Sequence, residues 1–302
     1  MERPDVLVLG AGGTVGAAWM GGVLAGLAAE TGIDFATVEH LVGTSAGSIV
    51  AADLLAGEEP RGLADGEPAE LPATLDDPAA VAAGNGALRA RAGRFGAGLA
   101  SAAGSSLAPL ALSLGRAPGT LVRAAALARV EPPEATLDDL GARIAGHGLQ
   151  WDGRLRVVCV DRERGRRVVF GAPGAPDATI AQAVQASCSI PWAYRPVLIG
   201  GDEYVDGAVW SPTNMDVAPG GRETHMLCLA PMAGHLGTRE RSAAVRAATT
   251  AAIGIETATL RRRGAHVTLV APEPGDPGEH VRAAGFRQGR ALARAAGSAR
   301  SQ

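Results

Sequence analysis

A serine flanked by glycines lies in the segment Gly43-Thr44-Ser45-Ala46-Gly47, between an apolar run that ends at Val42 and a second apolar run at helical spacing. The segment fits G-x-S-x-G, the pattern of a nucleophile elbow, in which a tight strand-to-helix turn exposes a serine hydroxyl. Such a turn strains the backbone, and Gly43 and Gly47 lack the Cβ atoms that would clash there. The pattern predicts that Ser45 is a nucleophile; the alternative is that Ser45 only caps the helix.

A glycine-rich loop, Gly10 to Gly16, follows the first apolar run and precedes a helical pattern. Glycines at a helix start let backbone N–H groups face outward and bind a negative group, either a phosphate or a developing oxyanion. The loop is an imperfect dinucleotide fingerprint, because the next strand ends at the serine segment and supplies no acidic ribose ligand. The oxyanion interpretation explains both loops with one site, since neighbouring parallel strands bring their carboxyl ends together.

A serine nucleophile needs a base, and Asp206 is the candidate. It ends a short strand-like run, and we expect it at a carboxyl edge of the sheet, where such sites gather. Its neighbour Gly207 permits a sharp turn that exposes the carboxylate. Taken alone, a strand-ending Asp-Gly pair is more often only a turn.

Strand and helix patterns alternate over the first sixty residues, which predicts an α/β fold with a parallel sheet. We predict strands at 5–9, 38–42, 155–160, 167–170, 203–205, 226–229 and 266–270. We predict helices at 17–30, 48–56, 177–186, 238–263 and 277–296. The Ala- and Gly-rich texture that begins at Glu58 predicts a helical insertion or cap at about 58–150, within a single domain that spans residues 1–302. Within the predicted insertion, the apolar segment 107–128 indicates buried cap helices, with a lipase lid as the alternative.

Composition narrows the class of protein. The chain has 302 residues, 47% of them hydrophobic, and a net charge of only -3, so it can bury a large core and nothing indicates a nucleic-acid partner. All 28 basic residues are Arg, which is typical of a GC-rich bacterial genome. The three cysteines are isolated in apolar runs, which predicts buried thiols; no metal and no cofactor is implied. Without a signal segment or a membrane-spanning window, we expect a cytoplasmic location, with peripheral membrane contact left open.

Four motifs, taken in order, resemble those of the patatin-like phospholipases, serine acyl hydrolases that use a Ser-Asp dyad and no histidine. They are the glycine-rich loop, GTSAG, the segment AVQASCSIPWAYRPV at 183–197, and Asp206-Gly207. The resemblance covers residues 6–214 apart from the insertion. It implies a three-layer α/β/α fold with a mostly parallel central sheet and a helical insertion.

The resemblance also implies roles for particular residues. Ser45 becomes the nucleophile and Asp206 the base that activates it. The oxyanion hole comes from the amides of the first loop: Gly12, Gly13 and Thr14. The substrate is a lipid or another acyl ester, and no protein partner is indicated.

Two further features concern substrate preference. The loop of the family usually has Arg or Lys before its last glycine, whereas Val15 precedes Gly16 here, so the headgroup preference is open. Trp192 and Trp210 flank the Asp206 segment, and we expect them to line an acyl channel.

Three alternatives remain at this stage. An α/β-hydrolase triad would take its base from His225, His235, His266 or His280, although the elbow follows only the second strand, too early for that fold. A dinucleotide-dependent oxidoreductase would use the first glycine loop. An inactive lipid-binding or scaffold relative is compatible with Val15 and with the large insertion.

Overall fold

The computed structural model describes residues 2–59, 117–233, 243–273 and 281–298. One sheet runs through this part of the chain and contains eight strands. They are β1 (Val6–Leu9), β2 (His40–Thr44), β3 (Leu155–Asp161), β4 (Arg167–Phe170), β5 (Val197–Ile199), β6 (Asp202–Asp206), β7 (His225–Leu229) and β8 (His266–Val270).

The centre of the sheet is parallel. β3, β2, β1, β7 and β8 are hydrogen-bonded neighbours in that order and all run in one direction. β1 is buried along its whole length, as its unbroken apolar run predicts. β4 and β6 pair antiparallel with β3, and β5 pairs antiparallel with β6. The sheet is therefore mostly parallel, as predicted.

Helices cover both faces of this sheet. The described helices are α1 (Gly13–Thr31), α2 (Ala46–Leu55), α3 (Ala117–Ala128), α4 (Asp138–Gly146), α5 (Ile180–Cys188), α6 (Ala243–Arg262) and α7 (Val281–Ser298). Alternate residues of the strands face opposite sides: Leu7 and Leu9 belong to the core beneath α1 and α2, whereas Val6 and Val8 belong to the core beneath α6. The three-layer α/β/α prediction is confirmed.

Apart from shifts of two or three residues at element ends, such as the start of α5 at Ile180 rather than at 177, the described structure differs from the predicted elements mainly at the start of α1 and at β5. α1 begins at Gly13, four residues before the predicted start, because the glycine-rich loop itself forms the first helical turn, with the Gly16 N–H donating to the Gly12 carbonyl at 3.0 Å. β5 was not predicted because it is only three residues long. The following Gly200-Gly201 pair, with both φ angles positive, is the turn signal that identifies the β5–β6 hairpin.

Most of the predicted insertion, residues 60–116, lies outside the described residues, as does the first part of the predicted cap segment, 107–116. The rest of the insertion contains α3 and α4, so it is helical where the structure describes it. Among the described helices, none combines the length and the apolar character that crossing a membrane requires.

α1 and α7 pack with their backbones in direct contact. Each helix presents two glycines four residues apart, Gly22 and Gly26 on α1 and Gly285 and Gly289 on α7. A Cβ added at any of the four would overlap a carbonyl oxygen of the opposite helix. This close packing ties the C-terminal helix to the helix that follows the first glycine loop.

We expect Gly22→Ala to lower the free energy of unfolding by about 1–3 kcal/mol, because the new methyl group would overlap the Arg282 carbonyl and force the two backbones apart. The neighbouring Gly21→Ala is the matched control. A Cβ there meets nothing within 4 Å, so this variant should be neutral or stabilised by up to about 1 kcal/mol through helix propensity. Urea denaturation measures both. Equal effects of the two substitutions would contradict the packing argument.

Candidate active site

The candidate site forms where two strands end on the same edge of β3. Backbone groups of alternate strand residues point to opposite edges. The carbonyl of Arg154, just before β3, accepts from the Leu41 N–H of β2, and the N–H of Arg162, just after β3, donates to the Glu203 carbonyl of β6. Even-numbered positions along β3 therefore face both strands. The N–H of Asp161 instead donates to Arg166, which places β4 on the other edge.

β2 and β6 therefore meet end to end. β2 lies parallel to the first part of β3 and ends with Thr44 opposite Val158. β6 approaches from the other direction, antiparallel to β3, and ends with Asp206 opposite Cys159. Because Val158 and Cys159 are consecutive, the carboxyl ends of the two strands are adjacent. Asp206 thus reaches the carboxyl end of β2 by a strand that runs against the parallel sheet.

The Ser45 turn has the strained geometry that the motif predicts. Ser45 has φ +53° and ψ -126°, in the left-handed half of conformational space that a residue with a side chain rarely adopts. A Cβ on Gly43 would overlap the Cα of Ser48, and a Cβ on Gly47 would overlap the carbonyl oxygen of Leu9. The two glycines therefore let the turn close and let α2 pack against the end of β1.

Ser45 and Asp206 are in direct contact. Ser45 Oγ donates a hydrogen bond to Asp206 Oδ2 at 2.8 Å, and the Ala208 N–H donates to Oδ1 at 2.7 Å. Asp206 is only 2% exposed and Ser45 only 7%. Burial raises the pKa of Asp206 to about 7, although the two donated hydrogen bonds lower it in part. The arrangement pairs a hydroxyl with a carboxylate of unusually high proton affinity.

Residues at the end of α5 form hydrogen bonds with the backbones of Ser45 and Asp206. Ser187 Oγ accepts from the Ser45 N–H at 2.9 Å and donates to the carbonyl of Val158 at 2.7 Å. The carbonyl of Ser189 accepts from the Asp206 N–H at 2.9 Å. The sequence motif around α5 indicates the family resemblance but not these hydrogen bonds. The local pattern does not show which backbone groups of other strands lie next to Ser187 and Ser189.

Asn214 is a second residue that the motifs did not identify. Its side-chain amide donates to Thr44 Oγ1 and to the Gly207 carbonyl, both at 3.2 Å, and to the Ser211 carbonyl at 2.7 Å. Thr44 precedes Ser45, and Gly207 follows Asp206, so one amide links both halves of the site. Asn214 has φ +49°, and Asn in a turn is the weak signal by which it could have been found.

The first glycine loop lies next to the elbow, because Gly47 packs against the backbone of Leu9 and Gly10. Gly12 caps α1 and Gly13 and Thr14 begin it. Within the described parts of the chain, no backbone carbonyl accepts from the N–H groups of these three residues. They are the unpaired amides of a helix start, which can bind a negative group.

The two tryptophans predicted to line an acyl channel occupy different settings. The guanidinium groups of Arg123 and Arg167 lie 4.1 Å and 5.1 Å from the ring centroid of Trp210, which packs at the edge of the cluster around Leu127. Trp192 is partly buried in the turn after α5. Their role in an acyl channel stays a prediction.

In the described residues, the hydrogen-bond partner of Ser45 Oγ is Asp206 and not a histidine. His225 and His266 stack on each other at 4.9 Å at the amino ends of β7 and β8, about 20 Å along the strands from the level of Ser45. His235 and His280 lie outside the described residues. The geometry therefore favours a Ser-Asp pair over a triad based on His225 or His266.

One group of side chains in the described residues has donor atoms close enough to hold a metal: Asp53, Glu58 and His147. Arg143 already donates to Asp53 Oδ1 at 2.8 Å, and His147 contacts the same oxygen at 3.1 Å. An arginine cation thus occupies the position where a metal would bind, so we assign no metal here. The three cysteines are buried, as predicted, and unpaired.

Comparison with known proteins identifies the class. The model of the patatin-like phospholipase family matches residues 7–219, more than half of the chain. The chain therefore belongs to the patatin-like phospholipase family. Proteins of this family are typically hydrolases that act on ester bonds, and the family description implies lipid acyl hydrolysis.

One solved structure similar to this chain is VipD from Legionella pneumophila, at 18% sequence identity and a TM-score of 0.44. The alignment covers 97% of this chain and 67% of VipD. No curated protein matches the chain.

We expect Asp206→Asn to stabilise the fold at neutral and alkaline pH. In the folded protein Asp206 keeps its proton up to about pH 7, whereas in the unfolded chain it loses the proton near pH 3.8. Its ionisation therefore lowers the free energy of unfolding as the pH rises between these values, by an amount on the order of 2–4 kcal/mol at pH 8.

Asparagine does not ionise, so the stability difference between variant and wild type should be largest at pH 8 and shrink toward pH 4. Urea unfolding of both proteins across this range measures it. A difference that does not depend on pH would contradict a raised pKa at Asp206.

Proposed function

We propose that this protein is a serine-dependent acyl ester hydrolase acting on lipids, a phospholipase A, lysophospholipase or related esterase, in which Ser45 and Asp206 form a catalytic dyad. The observation that carries the proposal is the 2.8 Å hydrogen bond from Ser45 Oγ to the buried Asp206 carboxylate. Family membership supports the reaction class.

The first half of the reaction forms an acyl-enzyme. Ser45 Oγ attacks the ester carbonyl carbon as its proton passes to Asp206 Oδ2, and the carbonyl oxygen becomes an oxyanion. The amides of Gly12, Gly13 and Thr14 are the proposed donors to that oxyanion. When the tetrahedral intermediate collapses, the bond to the alcohol breaks and Asp206 returns the proton to the departing alkoxide. The products are a free alcohol and Ser45 esterified by the acyl group.

The second half repeats these steps with water. Asp206 takes a proton from water as the water oxygen attacks the acyl carbon, and the same amides hold the new oxyanion. Collapse breaks the bond to Ser45 Oγ, which regains the proton from Asp206. The fatty acid leaves and the dyad is restored.

The electrostatics of the site suit a carboxylate base. An ordinary aspartate has a pKa of 3.8 and accepts a proton poorly, whereas burial raises the pKa of Asp206 to about 7. A base is most effective when its pKa lies near the working pH. The buried position therefore supplies the proton affinity that a histidine provides in other serine hydrolases.

The substrate follows from the family and is an acyl lipid. Val15 is 37% exposed beside the proposed oxyanion amides and brings no charge to them. The acyl-channel role of Trp192 and Trp210 and peripheral contact with a membrane are further parts of this proposal.

We expect Ser45→Ala to lower kcat/KM on a medium-chain p-nitrophenyl ester by at least about 10³-fold, because the substitution removes the nucleophile. Labelling by a fluorophosphonate probe should disappear with it. Ser298→Ala, at an exposed serine of α7, is the matched control and should turn over and label like the wild type. A wild type that neither turns over nor labels would contradict the proposal and favour an inactive lipid-binding relative.

The pH dependence tests the base separately. Because only ionised Asp206 accepts a proton, log kcat/KM should rise with unit slope up to about pH 7 and level off above it. Asp206→Asn should lower kcat/KM by about 10²–10⁴-fold, the range that general-base catalysis contributes. The rise of log kcat/KM up to about pH 7 should also disappear in this variant. If Asp206→Asn retained wild-type activity with the same profile, Asp206 would not be the base.

A further inference from the structure

A buried glutamate beyond the matched family region contacts the turn after β6 that contains Asn214. Glu256 lies on α6, on the side of the sheet opposite α1 and α2, and is only 6% exposed. Its Oε2 accepts from Thr213 Oγ1 at 2.6 Å and from the Met215 N–H at 3.0 Å. These two donors are the residues on either side of Asn214.

Asn214, between these two donors, forms side-chain hydrogen bonds with the residues next to Ser45 and Asp206. Its backbone is left-handed, with φ +49°, a conformation that costs about 1–3 kcal/mol unless the surroundings hold it. From this position its side-chain amide reaches Thr44 Oγ1 and the Gly207 carbonyl. Hydrogen bonds from Glu256 therefore hold the backbone on either side of Asn214, and hydrogen bonds from the Asn214 side chain hold the residues adjacent to Ser45 and Asp206.

The setting of Glu256 argues against a role in packing alone. Its neighbours Ile253 and Leu260 on α6 belong to an apolar core cluster, where an apolar residue would be buried without loss of solvation. The nearby carboxylate of Asp216 repels it and is itself bound by Arg167 at 2.6 and 2.7 Å. A carboxylate at this position is therefore unfavourable for stability. Its hydrogen bonds to the turn, and not its packing, account for its presence.

We infer that Glu256 is a positioning residue of the active site, which holds the Thr213–Met215 turn so that Asn214 keeps Ser45 and Asp206 in register. This inference rests on the proposed function. It extends the functional unit to α6, past the end of the family match at residue 219.

The test compares Glu256→Ala, Glu256→Gln and Thr213→Val with the wild type on the p-nitrophenyl ester, with thermal unfolding of each protein measured in parallel. Glu256→Ala should lower kcat by about 10–100-fold with KM unchanged within about threefold, because displacing reacting groups by about 1 Å has this effect. The amide oxygen of Glu256→Gln accepts the same two hydrogen bonds, so kcat should stay within about fivefold of the wild type.

Thr213→Val removes the Thr213 hydroxyl as a donor to Glu256 and leaves the carboxylate in place. It should fall between Glu256→Ala and the wild type in kcat, and it keeps the inference testable if Glu256→Ala does not fold. Glu163→Ala, at an exposed glutamate in the β3–β4 turn, is the matched control for a Glu-to-Ala change and should behave like the wild type.

The outcomes separate this inference from the proposed function. If the wild type shows no turnover that depends on Ser45, the proposed function fails and the inference falls with it. If the wild type turns over and Glu256→Ala has the same kcat, only the inference is overturned. A rise in KM without a change in kcat, or a Glu256→Gln as impaired as Glu256→Ala, also overturns it, since neither follows from loss of the hydrogen-bond acceptor.

Discussion

The candidate site depends on the way in which β2 and β6 share one edge of β3. β2 pairs with Leu155 to Val158 of β3, and β6 pairs with Cys159 to Asp161 of β3. Because both use the same edge, neither strand can extend past the point where the other ends. Because β6 runs against the parallel strands, it delivers its carboxyl end to the carboxyl end of β2. The hydroxyl of Ser45 and the carboxylate of Asp206 are brought together by this register of backbone hydrogen bonds, and the distance between them follows from it.

Burial gives this contact its chemical character. At 2% exposure, burial raises the pKa of Asp206 to about 7, and in the described part of the chain no cation is among its hydrogen-bond partners. The same environment lowers stability once Asp206 ionises, so the property that suits Asp206 as a base also weakens the fold. The N–H of Ala208 offsets part of this penalty while leaving Oδ2 to Ser45.

Strained backbone around the site is held in place by residues from distant parts of the chain. Ser45 and Asn214 both have positive φ angles, and neither is a glycine. Ser187 binds the Ser45 N–H from α5, and Glu256 holds the Asn214 turn from α6, so elements on both sides of the sheet stabilise the two strained residues. A strained turn held from two sides is pre-organised, since the groups need not move to reach their working positions.

Local patterns in the sequence were sufficient to predict an α/β fold with buried parallel strands, and Ser45 and Asp206 as candidates, because these features depend on residues close together in the chain. The resemblance to a known family implied the three-layer α/β/α arrangement. Sequence patterns did not predict that β6 runs antiparallel, that α1 begins inside the glycine loop, or that Ser187, Asn214 and Glu256 support the site. Ser187 lies 142 residues from Ser45, and Asn214 lies 170 residues from Thr44. Only the tertiary structure decides such pairings, since a hydrogen bond between distant residues depends on strand register and not on any local pattern.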